Sequence, residues 1–184
     1  MINNTDQQFD HAVAQCRQLF ILKMKDYGPS WRILRPQSVT DQIFIKAKRI
    51  RTLEINKESK VGEGIWPEFI AIVNYGIIGI IQLRLGYSDV VDMDSDRALA
   101  LYDQCMEETK TLMLAKNTDY GEAWRDMRIS SYTDLILAKI QRTKEIENHN
   151  GATLVSDGIE ANYQDMINYS VFALIKRDEQ QSNG

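Results

Sequence analysis

The segment Lys23-Met-Lys-Asp-Tyr-Gly-Pro-Ser-Trp-Arg-Ile-Leu-Arg35 returns 93 positions later as Lys116-Asn-Thr-Asp-Tyr-Gly-Glu-Ala-Trp-Arg-Asp-Met-Arg128. The same offset pairs Asp10 with Asp103, Ser38 with Ser131, Asp41 with Asp134, Lys46 with Lys139, Arg49 with Arg142 and Glu54 with Glu147. One residue is then inserted, after which Gly64-Ile65 matches Gly158-Ile159 and Asn74-Tyr75 matches Asn168-Tyr169. Self-similarity at a fixed period decides a fold more strongly than any local propensity. A chain of 184 residues is thereby read as a unit of about half that length used twice.

The two copies act as a small alignment. Apolar positions drift, with Phe20 facing Met113 and Phe44 facing Leu137. Cores tolerate such exchanges when volume is roughly kept. Lys, Asp, Arg, Tyr and Trp stay in place, and they need a more specific reason.

Each copy reads as three helices. The first spans about 6–25 and 94–117, the second about 38–56 and 131–148, the third about 65–85 and 159–177. Gly28 and Gly121 suit left-handed turns after the first helix. Ser38-Val-Thr-Asp41 and Ser131-Tyr-Thr-Asp134 have the form of a capping box at the start of the second. No alternating pattern of strand type stands out. The expected fold is all-α: two tandem three-helix repeats packed into one helical bundle with pseudo-two-fold symmetry. Repeat one covers about 6–85, a linker 86–94, repeat two about 95–177, and a frayed tail 178–184. About 80 residues bury too little alone, so the halves are expected to share one core.

Composition narrows the function classes. A net charge of −4 argues against direct nucleic-acid binding by bulk charge. The run Phe69–Leu83 holds Asn74 and Gln82 and is shorter than the roughly 20 residues of a membrane span. Residues 1–10 carry no basic-then-apolar leader pattern, and two cysteines make no disulfide framework. The expected location is the cytoplasm, with the fused repeat standing in for a dimer. His11 and His149 do not repeat, which disfavours a histidine base or zinc site. Neither a glycine-rich phosphate loop nor a Gly-x-Ser-x-Gly elbow occurs.

The repeated polar set supplies the site candidates. Lys23, Arg32, Arg35, Lys46 and Arg49, with Lys116, Arg125, Arg128, Lys139 and Arg142, form a cationic group suited to phosphate. The alternative is internal pairing with Asp26, Asp41 and Glu54, or their mates Asp119, Asp134 and Glu147. Tyr27, Trp31, Tyr120 and Trp124 offer rings on which a base stacks, or anchors for the loop. Glu54 and Glu147 fall on the apolar side of their helix, where a carboxylate requires a partner or ligand. Asn74 and Asn168 lie in apolar helices and are either satisfied buried amides or ligand contacts. Asp103, Glu107 and Asp165 are candidate magnesium ligands, because hard cations prefer carboxylate oxygen.

The Asp-Tyr-Gly-x-x-Trp-Arg motif resembles the helical family called nucleotide modification associated domain 1, once per half. That resemblance implies a role near nucleotide or modified-base metabolism, with no established reaction. A more distant resemblance is to the MazG-like all-α nucleoside triphosphate pyrophosphohydrolases. It implies a magnesium site in which the stretches Asp103–Glu108 and Asp165–Asn168 take the place of the acidic helices, with Asn168 where that group has its final acid. Three readings stay open: a magnesium-dependent nucleotide hydrolase, a non-catalytic nucleotide-binding module, and a structural or interaction protein.

Overall fold

A computed structural model of the chain describes residues 4–57 and 64–184. Six helices run α1 (Asn4–Tyr27), α2 (Pro36–Asn56), α3 (Trp66–Leu85), α4 (Ser95–Tyr120), α5 (Ile129–Asn148) and α6 (Ile159–Ser182). There is no strand among the described residues. Each half is a helix, a short 3-10 turn (Ser30–Ile33 or Ala123–Asp126) and two further helices. The all-α, tandemly duplicated bundle is therefore what the chain forms. The expected polar linker between α2 and α3 lies mostly outside the described residues.

The halves share one hydrophobic cluster to which all six helices contribute. Its centre is the crossing of α3 on α6, the same element of each half. Small residues allow the close approach: a Cβ on Gly79 would sit 2.9 Å from the Tyr163 ring, and one on Gly76 2.5 Å from Ile167 Cγ1. α3 has 20 residues and by length and composition alone could cross a membrane. Two thirds of its apolar window is buried within this bundle, and the amides of Asn74 and Gln82 are hydrogen-bonded inside it.

Three local expectations are corrected. Ser38 and Ser131 cap nothing: α2 begins at Pro36 and α5 at Ile129, behind Arg35 and Arg128, which make no side-chain cap bond. Proline at the first helical position supplies the helical φ and has no N–H to satisfy, so α2 starts earlier than the serine. Asp41 and Asp134 are instead partners across the halves, to Lys144 at 3.7 Å and Arg51 at 2.6 Å. The tail does not fray at 178. α6 runs to Ser182, because Glu179 receives hydrogen bonds from Arg125 and Gln8, each at 2.8 Å.

Candidate functional site: twin cavities at the repeated motif

The Asp-Tyr-Gly turn does the same thing twice. Gly28 (φ 69°) and Gly121 (φ 62°) adopt the left-handed conformation that glycine takes without strain. Their N–H groups bond back to Met24 and Asn117, each at 2.9 Å, ending α1 and α4. The chain then folds the tryptophan inward, and Trp31 and Trp124 are each 5% exposed.

A cavity opens beside each turn. The first, about 280 Å³, lies between α1, the turn and α3. The second, about 340 Å³, lies between α4, the turn and α6, with Lys139 of α5 at its edge. Their walls correspond by repeat position: Lys23 with Lys116, Tyr27 with Tyr120, Trp31 with Trp124, Asn74 with Asn168 and Tyr75 with Tyr169. These volumes stand near the lower end of small-molecule pockets, roughly 300–1,000 Å³, and suit a single heterocyclic ring better than a large cofactor.

The tryptophans are anchors as well as walls. Trp124 is already stacked on Phe172, centroids 4.2 Å apart and planes 4° from parallel, and Arg125 lies over it at 4.4 Å. Trp31 packs on Phe20, and each indole Nε1 is buried without a hydrogen-bond partner. The tyrosines are the available rings, with Tyr27 56% and Tyr120 73% exposed.

Arg32 and Arg125 of the motif are engaged by groups of the protein itself. Arg32 is 3% exposed and donates to Asp92 at 2.8 and 3.1 Å, to the Gly86 carbonyl at 2.7 Å and to Gln82. The Ser88 N–H also bonds the Arg32 carbonyl at 2.9 Å, so this residue straps the linker after α3 onto the turn. Arg125 gathers Glu122 at 3.0 Å, Glu179 at 2.8 Å, and Thr5 and Gln8 at 2.6 Å each. It ties the start of α1 and the end of α6 to the second turn. Arg49 and Lys46 reach the buried Glu68, at 3.2 and 3.8 Å.

Glu54 and Glu147 find their partners across the halves. Thr133 donates to Glu54 at 3.2 Å and Thr40 to Glu147 at 3.0 Å. Burial lifts both carboxyls above the ordinary glutamate range, and the threonine hydrogen bonds oppose that lift. Neither glutamate lines a twin cavity. Asn74 donates to the Cys16 carbonyl at 3.0 Å and accepts from Tyr102 at 2.7 Å. Asn168 donates to the Thr109 carbonyl at 3.4 Å, while its Oδ1 is buried and unpartnered.

The second cavity carries a three-charge cluster. Asp165 takes Lys116 on one carboxylate oxygen at 2.8 Å and Lys139 on the other at 2.9 Å. Burial pulls the Lys116 ammonium down, but bonding to Asp165 outweighs it and leaves its pKa above the usual lysine value. The magnesium donor set does not assemble. Asp165 is held by two cations, Asp103 is paired with Arg17 at 2.8 Å, and Glu107 is exposed on α4. No group of three potential metal-ligating side chains exists among the described residues. Asp26, Arg35, Asp119 and Arg128 are exposed on the turn and the segment after it, outside both cavities. Arg142 lies outside them too, on a separate groove with the 152–157 loop.

The model of nucleotide modification associated domain 1 matches the chain twice, over residues 23–83 and 116–176. The chain belongs to this family. Each match begins at the motif lysine of one cavity and ends within the third helix of that half, so the chain carries the family's domain twice. No curated protein and no solved structure matches the chain.

Some residues that build the site carry no repeat signal. Gln82 donates to the carbonyls of Trp31, Arg32 and Leu34 at 3.1, 3.0 and 2.6 Å. Lys176, its mate in the second copy, donates to the Met127 carbonyl. The two differ in identity and so escape a search for matches. A polar residue inside the most apolar helix of the chain was the available signal for Gln82.

Proposed function

We propose that the protein binds a nucleotide-type ligand, a planar heterocycle bearing a polar or anionic group, in the twin cavities beside its Asp-Tyr-Gly turns. One observation carries this: lysine, tyrosine, tryptophan and asparagine kept by both copies line both cavities at equivalent positions. The exposed Tyr27 and Tyr120 rings offer faces for stacking, which contributes about 1–3 kcal/mol per base. Lysine at each cavity supplies a cation for an anionic group, and in the second cavity the unpartnered Asn168 Oδ1 supplies an acceptor. The family description, associated with nucleotide modification, points to the same ligand class. The reading is one of binding. Asp103 and Asp165 serve as ion-pair partners, of Arg17 and of Lys116 and Lys139.

The test is thermal unfolding and calorimetric titration with the four ribonucleosides and their 5′-phosphates. A ligand that binds only the folded state raises stability by about 2.7 kcal/mol at a hundred times its Kd. Tyr27→Ala and Tyr120→Ala, at exposed rings, are expected to lose that shift while unfolding close to the parent temperature. No shift with any member of the panel would leave the repeated residues with an architectural role only.

A further inference from the structure

The two cavities differ at one repeat position in a way that changes whether their lysines are ion-paired. α6 carries Asp165 where α3 carries Ala71. In the second cavity Asp165 holds both lysines, at 2.8 and 2.9 Å, on a carboxylate only 14% exposed. An anion arriving there meets two cations that are each already paired with Asp165, and a negative charge beside them. In the first cavity no carboxylate stands at that position. Lys23 lines the wall, is exposed and has no ion pair among the described residues. Its neighbours on that wall are aromatic and aliphatic, with Ser30 and Asn74 the other polar side chains besides the tyrosines.

We propose that the copies have divided the work: the first cavity accepts the phosphate-bearing ligand on Lys23, unpaired among the described residues, and the second, whose two lysines are already engaged by Asp165, accepts its uncharged nucleoside form. This rests on reading the cavities as nucleotide sites. The logic is the linkage between a fixed charge and its counter-ion: a phosphate gains most where a lysine lacks a partner and least where a buried carboxylate already holds one. The Ala71/Asp165 difference thus gives the two cavities different specificity.

The repeat provides its own controls. Calorimetric titration with the four ribonucleosides and their 5′-monophosphates is run on the parent chain, Ala71→Asp, Asp165→Ala and Lys23→Met. In the parent, a monophosphate is expected to bind with a stoichiometry of one. Ala71→Asp, which copies the second cavity's carboxylate into the first, is expected to weaken that binding at least tenfold and leave nucleoside binding in place. Asp165→Ala, the reciprocal change, is expected to raise the monophosphate stoichiometry to two. Lys23→Met, at an exposed side chain, weakens monophosphate as Ala71→Asp does and covers the case in which Ala71→Asp fails to fold. Two equivalent monophosphate sites in the parent, or no change in Lys23→Met, would overturn the division of labour while leaving the nucleotide reading intact. Absence of binding by every nucleoside and nucleotide to the folded parent would overturn both.

Discussion

Thr133 of α5 donates a hydrogen bond to Glu54 of α2 at 3.2 Å, and Thr40 of α2 donates to Glu147 of α5 at 3.0 Å. The two bonds exchange under the pseudo-two-fold axis and stitch the halves together where α2 meets α5. Both carboxyls are half-buried, and burial raises their pKa. Asp134 adds to the lift at Glu54 and Arg51 opposes it; Asp41 and Lys144 do the same at Glu147.

The pH consequence has a definite sign. An acid whose folded pKa exceeds its unfolded value binds protons more tightly when folded, so stability falls as pH rises between the two values. That window begins at the ordinary glutamate value of 4.5 and extends upward to the raised folded pKa. Glu54→Gln with Glu147→Gln keeps an acceptor for each threonine and removes the charge. The double variant is expected to be more stable than the parent at pH 7, with the gain disappearing toward pH 4. Chemical denaturation across that range measures it, and a double variant less stable than the parent at pH 7 contradicts it.

Arg32 and Arg125 occupy the same repeat position but unequal environments. Arg32→Ala abandons a buried set in which Gln82 and the Gly86 carbonyl lose a charged donor, at a cost of about 2–3 kcal/mol. Arg125 is 28% exposed, and its freed partners can turn to water, so Arg125→Ala is expected to cost about 1 kcal/mol. Thermal unfolding should rank the two in that order. Equal losses, or a larger loss at Arg125, would contradict the strap role given to Arg32.

The duplication was legible because identity at a constant spacing is a property of the chain itself, and it carried the helix count and the pairing of the repeated residues with it. The partners of the repeated residues were hidden for a physical reason. Glu54 and Thr133, or Arg32 and Asp92, are brought together only by packing between helices, which leaves no trace in sequence spacing. The capping boxes misled because Ser38 and Ser131 fit a local pattern that Pro36, at the first helical position of α2, had already pre-empted in the first copy. In the second, α5 also begins before its serine, at Ile129.

The α3–α6 crossing makes a sharp prediction at Gly79. Its α-carbon faces the ring of Tyr163, which is fully buried and held by a hydrogen bond between its hydroxyl and Thr40 at 2.6 Å. That ring has nowhere to move. Gly79→Ala gains about 1 kcal/mol of helix propensity and loses about 1–3 kcal/mol to overpacking. The expected net result is a lowered unfolding temperature, although alanine is the better helix former. Gly86→Ala, with open space around it, fails for a different reason, its φ of 75°.

Asn74 and Asn168 invite a test of the symmetry itself. Asn74 Oδ1 accepts from Tyr102, whereas Asn168 Oδ1 is buried with no partner. The residue equivalent to Tyr102 in the other copy is Phe9, also fully buried. Phe9→Tyr therefore places a hydroxyl where the pseudo-two-fold axis puts the missing donor. A hydrogen bond formed there is expected to add about 1 kcal/mol, or about 2–4 °C in a chain of this size. The reciprocal Tyr102→Phe strips Asn74 of its donor and is expected to cost about 1–3 kcal/mol. A double-mutant cycle of Phe9→Tyr with Asn168→Leu isolates the pairwise effect. If the gain survives in the Asn168→Leu background, the hydroxyl acts by some other contact, and the equivalence of the two asparagines is wrong.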